Sequence, residues 1–331
     1  MNKQVLLKSR PTGKPAARNF EIAEAPSEST KEGELLVKAK YVSVDPYMRG
    51  RMSDAKSYVP PFEVGKAIEG SMIAEVTKSR HPDFKEGDIV LGSLKWQKIQ
   101  TVPVEKVSKL AKNSKYVSYY LGILGMPGVA AYFGLLEIGK PVAGETVVIS
   151  GAAGAVGMVA GQIARIKGCR VVGITGTDKK KAFLVNKLKF DEVINYHSAN
   201  MRDSIAKACP NGVDIYFDNV GGEISDAVLA NINKSARIII CGQISLYNNS
   251  ETPFGPRPQT IILQKSALMQ GFIVSNYASR FSEGVSQLTQ WLDEGKLDFH
   301  ETIIKGFDKL PEAFIGLFDG DNMGKMLVEI E

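Results

Sequence analysis

Over residues 1 to about 122, apolar and polar positions alternate in short runs, QVLLKS, ELLVKAKYVSV, GSMIAEVTKS and GDIVLGS, set apart by clusters of Gly, Pro, Asp and Ser. Alternation with a period of two buries one face of a strand and wets the other, so this part predicts an antiparallel β domain. The pattern then changes. The run LGILGMPGVAAYFGLLEIG, starting at Leu121, is apolar on nearly every side and carries Pro127 where a helix would begin, which predicts a buried connecting helix. Beyond it, strand and helix patterns take turns. Strands are expected at Val147-Val148-Ile149 and over 169–175, 193–196, 213–217, 236–241 and 269–274, with helices near 155–167 and 280–294 among those between and after them. Such alternation builds a doubly wound parallel sheet, so the fold class is α/β. Residues 246–258, rich in Asn, Ser, Gly and Pro, read as an exposed loop long enough to act as a lid. The tail from 299 returns to strand signals and ends in MLVEI at 326–330.

Length and composition narrow the class. A chain of 331 residues exceeds what one core usually organises, and its 44% hydrophobic content suffices for two. The net charge of +5 is spread over 41 basic and 36 acidic residues, and the densest basic run is Lys179-Lys180-Lys181, so no nucleic-acid partner is implied. Cys169, Cys209 and Cys241 make no disulfide framework and point to reduced thiols in a cytoplasmic protein. The N-terminus lacks a long apolar stretch and no apolar run reaches roughly eighteen residues, so neither export nor a membrane span is expected.

The candidate chemistry centres on ETVVISGAAGAVG, residues 145–157. A β-branched run breaks into Gly151, Gly154 and Gly157 and then into a helical pattern, which is the order strand, tight turn, helix. Glycines let a backbone approach a pyrophosphate, whose charge then sits at the positive end of the helix. Ala152 stands where a full dinucleotide fingerprint has its first glycine, leaving A-x-G-x-x-G. The following helix and strand complete a βαβ unit of about thirty residues, which favours dinucleotide binding.

An acidic residue some twenty positions past such a loop takes ribose hydroxyls, whereas a basic one suits a 2′-phosphate. Here the acidic position falls on Gly176, Asp178 follows at an expected helix N-cap, and Lys179-Lys180-Lys181 come next. Cations are badly placed in a first helical turn unless an anion is near, so NADPH is expected over NADH. A catalytic zinc needs Cys and His ligands in the catalytic half, yet residues 1–122 hold no cysteine and only His81. No serine sits in a G-x-S-x-G elbow either. Tyr47, in VDPYMR at 44–49, and Trp96-Gln97 are candidates to face a ligand, with a core-edge role for Tyr47 equally open.

The residues together resemble a family, the zinc-independent medium-chain dehydrogenase/reductases, and within it the group of prostaglandin reductase, leukotriene B4 12-hydroxydehydrogenase, alkenal double-bond reductase and curcumin reductase. The resemblance covers almost the whole chain and rests on VDPYMR at 44–49, GMPG at 125–128 with AYFG at 131–134, AAGAVG at 152–157, FDNVGG at 217–222, Cys241-Gly242 with Tyr247-Asn248, and GDN at 320–322. It implies a GroES-like catalytic domain of residues 1–122 and 299–331 around a Rossmann domain of residues 123–298. It places Gly154, Ala155, Val156 and Gly157 on the NADPH pyrophosphate. Lys180 falls on a lysine that meets the 2′-phosphate, and Thr177 and Tyr196 on neighbours of the adenosine. Asn219, Cys241, Gly242, Gln243, Ile244, Ser245, Leu246, Tyr247, Phe272, Ile273, Val274 and Asn322 fall on positions lining the rest of the cofactor, and Tyr47 and Tyr247 on tyrosines facing the substrate. GKAIEG at 65–70 departs from members with a further substrate tyrosine there, so substrate preference does not transfer.

The implied reaction is hydride delivery to the β-carbon of an enal or enone, with Tyr247 donating a hydrogen bond to the developing oxyanion. A quinone reductase or alcohol dehydrogenase on the same fold, and an NADPH-binding protein without turnover, stay open as alternatives. A homodimer paired through the strand at 269–274 is also expected.

Overall fold

The computed structural model describes residues 1–26, 29–110, 117–197 and 200–331. The chain divides into two compact units. One comprises Met1–Leu121, Glu301–Asn322 and Met326–Glu331, the other Gly122–His300 and Met323–Lys325.

In chain order the first unit supplies β1 (Lys3–Leu7), β2 (Phe20–Glu24), β3 (Glu34–Ser43), a helical turn α1 (Met48–Arg51), β4 (Glu69–Ser79), β5 (Ile89–Lys95), β6 (Ile99–Pro103) and β7 (Val107–Leu110). The second supplies α2 (Met126–Phe133), which runs on as a π-helical segment Gly134–Gly139, then β8 (Thr146–Ile149), α3 (Gly157–Ile166), β9 (Arg170–Thr175), α4 (Asp178–Asn186) and β10 (Glu192–Asn195). It continues with α5 (Met201–Ala208), β11 (Val213–Asp218), α6 (Gly222–Leu229), β12 (Ile232–Ile240), α7 (Gln259–Lys265), β13 (Leu268–Gly271) and α8 (Phe281–Asp293). The tail contributes β14 (Glu301–Lys305), α9 (Leu310–Gly316) and β15 (Lys325–Glu329).

Among the described residues, the β-rich unit holds a sheet in the order β14-β15-β3-β4-β5-β7, with β6 also on β3 and a separate β1-β2 pair. β15 runs antiparallel to β3 with Val328 opposite Val42, which ties the tail of the chain to its first third. Leu35, Val37 and Ala39 alternate inward along β3, as the period-two pattern requires, and join Met48, Trp96 and Phe314 in one core. Trp96 and Gln97 are therefore core residues and not ligand-facing ones. Trp96 is fully buried with its ring edge-on to Phe314 at 6.5 Å, and the buried Gln97 amide donates to the Ile99 carbonyl at 2.7 Å. Phe314 on α9 gives the Trp96 ring an edge-to-face partner inside the core, a geometry that aromatic pairs favour.

The second unit is built on a sheet in the order β10-β9-β8-β11-β12-β13, parallel at every pair. Helices cover its faces, so the inner strands are near-continuous apolar runs: every residue of TVVI in β8 is buried. The chain moves outward from β8 through β9 to β10, then crosses back to place β11 on the other side of β8. That reversal opens a crevice at the carboxyl ends of β8 and β11, where doubly wound sheets bind ligands. β13 is shorter than the strand expected over 269–274. It pairs with Arg237–Ile240 only through Leu268–Gly271, after which a 3-10 turn takes over at Val274–Arg280. Among the described residues, no helix is long and apolar enough to cross a membrane.

Candidate cofactor and active site

The glycine loop fills the crevice. Leaving β8, the Ala152 N–H donates across to the Ile174 carbonyl at the end of β9 (3.0 Å), and the Gly154 N–H closes a turn onto the Gly151 carbonyl at 2.9 Å. Gly151 holds a left-handed φ of 59°. Gly157 packs so closely under the turn that a Cβ there would lie 2.4 Å from the Gly151 oxygen and 2.8 Å from Ala152 Cα. At Gly154 an added Cβ would meet only the Gly151 oxygen, at 3.2 Å. One glycine is thus consumed by packing and the other keeps space open above the loop. The start of α3 carries no side-chain cap, so its leading N–H groups suit an anion. Ala152, where a glycine is usual, is fully buried against Gly173, where an added Cβ would meet the alanine's own at 3.0 Å. The alanine methyl serves as strand-to-strand packing and leaves the seat intact. Ala155 and Val156 complete the turn, and the segment carrying Gly324 runs beside it, its N–H on the Ala153 carbonyl at 2.8 Å.

At the end of β9 the structure corrects one detail. Thr177, not Asp178, is the N-cap of α4: its hydroxyl accepts from the Lys180 N–H at 3.3 Å. β9 ends at Thr175, so the helix begins one residue early, and Asp178 sits in the first turn accepting from the Asn195 amide at 2.9 Å. Of the three lysines, Lys180 is half-buried while Lys179 and Lys181 are exposed. Tyr196 follows β10 beside them, its N–H on the Thr175 carbonyl at 3.0 Å, and its ring lies so close to Gly176 that a Cβ there would come within 2.8 Å of the hydroxyl. Thr177, Lys180 and Tyr196 therefore border one surface at the carboxyl ends of β9 and β10.

The carboxyl ends of β11 and β12 are knitted together by Asp218, which sequence reasoning did not single out. Its fully buried carboxylate accepts from the Ser150 and Tyr216 hydroxyls (2.9 and 2.8 Å), from the Val220 and Gly221 N–H groups (3.0 and 2.9 Å) and from the Gln243 amide (2.9 Å). A carboxylate ending an apolar run, in YFDNVGG, was the signal available. Asn219 leans the other way, its amide on the Ser150 carbonyl at 2.8 Å and its N–H on the Ser150 hydroxyl at 2.9 Å. The N–H groups of Cys241 and Gly242 both return to the Asp218 carbonyl, and those of Ile244 and Ser245 to the carbonyls of Asn219 and Val220. Burial, aided by Asp218, pushes the Cys241 thiol up to about 12, which keeps it neutral. A 3-10 turn over Ile244–Leu246 then brings Tyr247 back, and its hydroxyl accepts from the Gln243 N–H at 3.2 Å. Phe272 follows β13, its N–H on the Ile240 carbonyl at 3.4 Å and its ring where a Cβ on Gly134 would reach (2.7 Å); Ile273 and Val274 continue half-buried from it.

Two expected residues belong to the β-rich unit. Tyr47 is half-buried after Asp45-Pro46, and burial, with Asp45 nearby, raises its phenol well above the ordinary range. Asp45 is buried and accepts from the Ser43 hydroxyl, and the Arg49 guanidinium of the same turn donates to the Gly13 and Pro11 carbonyls (2.9 and 3.3 Å), so the turn is fixed at both ends. Asn322 is half-buried at the end of the segment that follows α9. Among the described residues no three or more His, Cys, Asp or Glu side chains gather as a metal site would require.

Comparison with known proteins bears on this site. Residues 3–110 match a family described as the N-terminal domain of oxidoreductase, and residues 155–292 one described as zinc-binding dehydrogenase. YfmJ of Bacillus subtilis (strain 168), named for NADP-dependent oxidoreduction, is 53% identical over 99% of this chain and 97% of its own length. The NADPH-dependent curcumin reductase of Escherichia coli (strain K12) is 42% identical over 99% and 97%. The crystal structure of CurA in complex with NADPH from Vibrio vulnificus superposes with a TM-score of 0.96 at 43% identity, covering 99% of each chain.

Proposed function

Because the chain belongs to the medium-chain dehydrogenase/reductases, in their zinc-independent group of curcumin and prostaglandin reductases, we propose that it reduces the carbon–carbon double bond of α,β-unsaturated aldehydes or ketones with NADPH. The observation that carries this reading is the Tyr247 hydroxyl, accepting from the Gln243 N–H on the same sheet edge as the glycine loop. The cofactor fits the residues present: the space kept open at Gly154 and the uncapped start of α3 suit its pyrophosphate, and Thr177, Lys180 and Tyr196 suit its phosphorylated adenosine. Asn219, the stretch from Cys241 to Tyr247, Phe272 to Val274, and Asn322 would line the remainder. When bound, NADPH supplies the hydride.

The chain's own part is positioning and charge stabilisation. Negative charge develops on the substrate carbonyl oxygen, and a phenol, with an ordinary pKa of about 10, keeps its proton at neutral pH and donates to that oxygen. Because the Tyr247 oxygen accepts from a backbone N–H, its own O–H is directed away from that bond. The α-carbon proton comes from Tyr247 or from water. Holding the alkene against the cofactor contributes more, on the order of 7 to 11 kcal/mol. Tyr47, in its fixed turn, is the second substrate contact we assign, and residues 246–258 are a lid.

β13 ends the described sheet, with Leu268 exposed, and pairing of two β13 edges makes the homodimer we expect. The buried thiols of Cys169 and Cys209 fit a reducing cytoplasm. The deciding experiment assays enones, alkenals and quinones with NADPH and NADH. Loss of alkene absorbance supports the reading; a new alcohol with the alkene intact, turnover of quinones alone, or binding without oxidation each points elsewhere. Tyr247→Phe lowers turnover by roughly tenfold to a thousandfold, and unchanged turnover in that variant removes Tyr247 from the mechanism.

A further inference from the structure

The carboxylate of Asp218 is the most heavily engaged polar group described at the sheet's carboxyl edge, and its bonds divide by oxygen. Oδ1 takes the Ser150 and Tyr216 hydroxyls and the N–H groups of Val220 and Gly221. All four donors belong to β11, the turn after it, or the residue following β8. Oδ2 takes the Gln243 amide at 2.9 Å, the side-chain bond that carries the network into the loop after β12. The second proton of that amide goes to the Gly242 carbonyl at 3.0 Å. Both partners are acceptors, so the NH2 end must face them and the amide has one orientation. Space for it is kept by Gly221, where a Cβ would stand 2.1 Å from Gln243 Oε1. The backbone N–H of this same pinned residue donates to the Tyr247 hydroxyl at 3.2 Å.

We infer that Asp218 is a positioning residue for the reduction proposed above: through Gln243 it fixes the 243–247 turn and with it the direction in which Tyr247 donates. The inference rests on that reading of Tyr247. It accounts for a fully buried carboxylate at a site edge that no ion pair compensates among the described contacts: five donated hydrogen bonds stabilise the charge, and the bond to Gln243 carries that order one loop further.

The test is a charge-reversed pair. Gln243→Glu sets a second carboxylate against Asp218 and the Gly242 carbonyl. Asp218→Asn sets an amide against the Gln243 amide. Combined, the introduced amide donates to the introduced carboxylate and the bond between residues 218 and 243 is restored. With enone as substrate and NADPH at saturation, Gln243→Glu is expected to lower kcat about tenfold or more, the Kd for NADPH being read separately by cofactor fluorescence so that weaker binding is not counted as lost turnover. The double variant is expected to recover at least about fivefold in kcat over Gln243→Glu. A merely structural role predicts lost thermal stability with kcat per NADPH-binding site unchanged, and a double variant equal to the product of the singles; either result overturns the inference. Should Asp218→Asn fail to fold, Gln243→Glu and Gln243→Met decide alone, and wild-type kcat in both refutes it. A wild-type protein inert toward enones removes the proposed function and this role together. An active wild type whose Tyr247→Phe variant is slow while both Gln243 variants are not removes the positioning role alone.

Discussion

The two loop glycines should fail in different ways when each is replaced by alanine. At Gly157 the new methyl would sit 2.4 Å from the Gly151 oxygen, 2.8 Å from Ala152 Cα and 3.0 Å from the Gly151 carbonyl carbon, all backbone atoms of the turn it supports. None of these can rotate away, so the turn must shift as a body. Overpacking of this kind costs about 1 to 3 kcal/mol, and the better helix propensity of alanine returns less than about 1 at a first helical position. The net loss is about 1 to 2 kcal/mol, shared between folding and binding: a turn that shifts in the free protein must be pushed back when the nucleotide arrives. At Gly154 the methyl meets only the Gly151 oxygen, at 3.2 Å, so folding stability should stay within about 0.5 kcal/mol. The methyl instead occupies the approach kept for the pyrophosphate, and NADPH affinity should fall about tenfold or more, or about 1.4 kcal/mol. Urea unfolding of the nucleotide-free protein and NADPH fluorescence titration separate the two quantities. Gly154→Ala should move only the second, and Gly157→Ala chiefly the first. If Gly157→Ala is as stable as wild type and binds NADPH as tightly, or Gly154→Ala binds normally, the assignment of packing to one glycine and ligand approach to the other is wrong.

Two further outcomes follow from charge. Lys180→Ala should raise the KM for NADPH about tenfold, the lower end of a charge-assisted bond because the residue is half-buried, while the KM for NADH stays within about twofold; equal effects on both cofactors would detach Lys180 from the 2′-phosphate. Glu145 supplies the pH test: burial raises its carboxyl pKa, but the hydrogen bonds from Arg237 (2.6 and 2.8 Å) and from the Val142 N–H (2.9 Å) outweigh it and hold the pKa below the ordinary value of 4.5. A depressed folded-state pKa means the stabilisation is present above the unfolded value and is lost as pH falls through the folded one. Wild type should thus exceed Glu145→Gln in stability at neutral pH, and the gap should shrink as the pH falls below the ordinary carboxyl value of 4.5; a gap that widens on acidification would contradict the sign.

The alternation of strand and helix from residue 145 was legible because a sheet covered on both faces demands near-continuous apolar runs, and VVI at 147–149, IYF at 215–217 and III at 238–240 satisfy that without tertiary information. The glycine loop was legible for the same local reason: strand, turn and helix adjoin in sequence. Trp96 was not, because only the distant Phe314 shows that its ring packs inward. The cap of α4 turned on where β9 stopped, a boundary set by pairing with β8 and β10 and not by Thr177 or Asp178 themselves.

Asp218 shows where reading along the chain runs out. Its role depends on Ser150, which precedes it by 68 residues, and Gln243, which follows by 25. No spacing rule links them; what does is the parallel sheet, which delivers the carboxyl ends of β8, β11 and β12 to one edge because each strand runs in the same direction and each is a neighbour of the next. A residue at such an end is close to the ends of the neighbouring strands, however far apart in sequence, so polar residues that terminate adjacent apolar strands are the ones a parallel sheet can combine. By that rule Ser150 after β8, Asp218 ending β11 and the Cys241-Gly242-Gln243 stretch after β12 form one group, whereas Lys180 and Tyr196, beyond β9 and β10, form another. Changes within one group should couple in double-mutant cycles, and changes across the two should add.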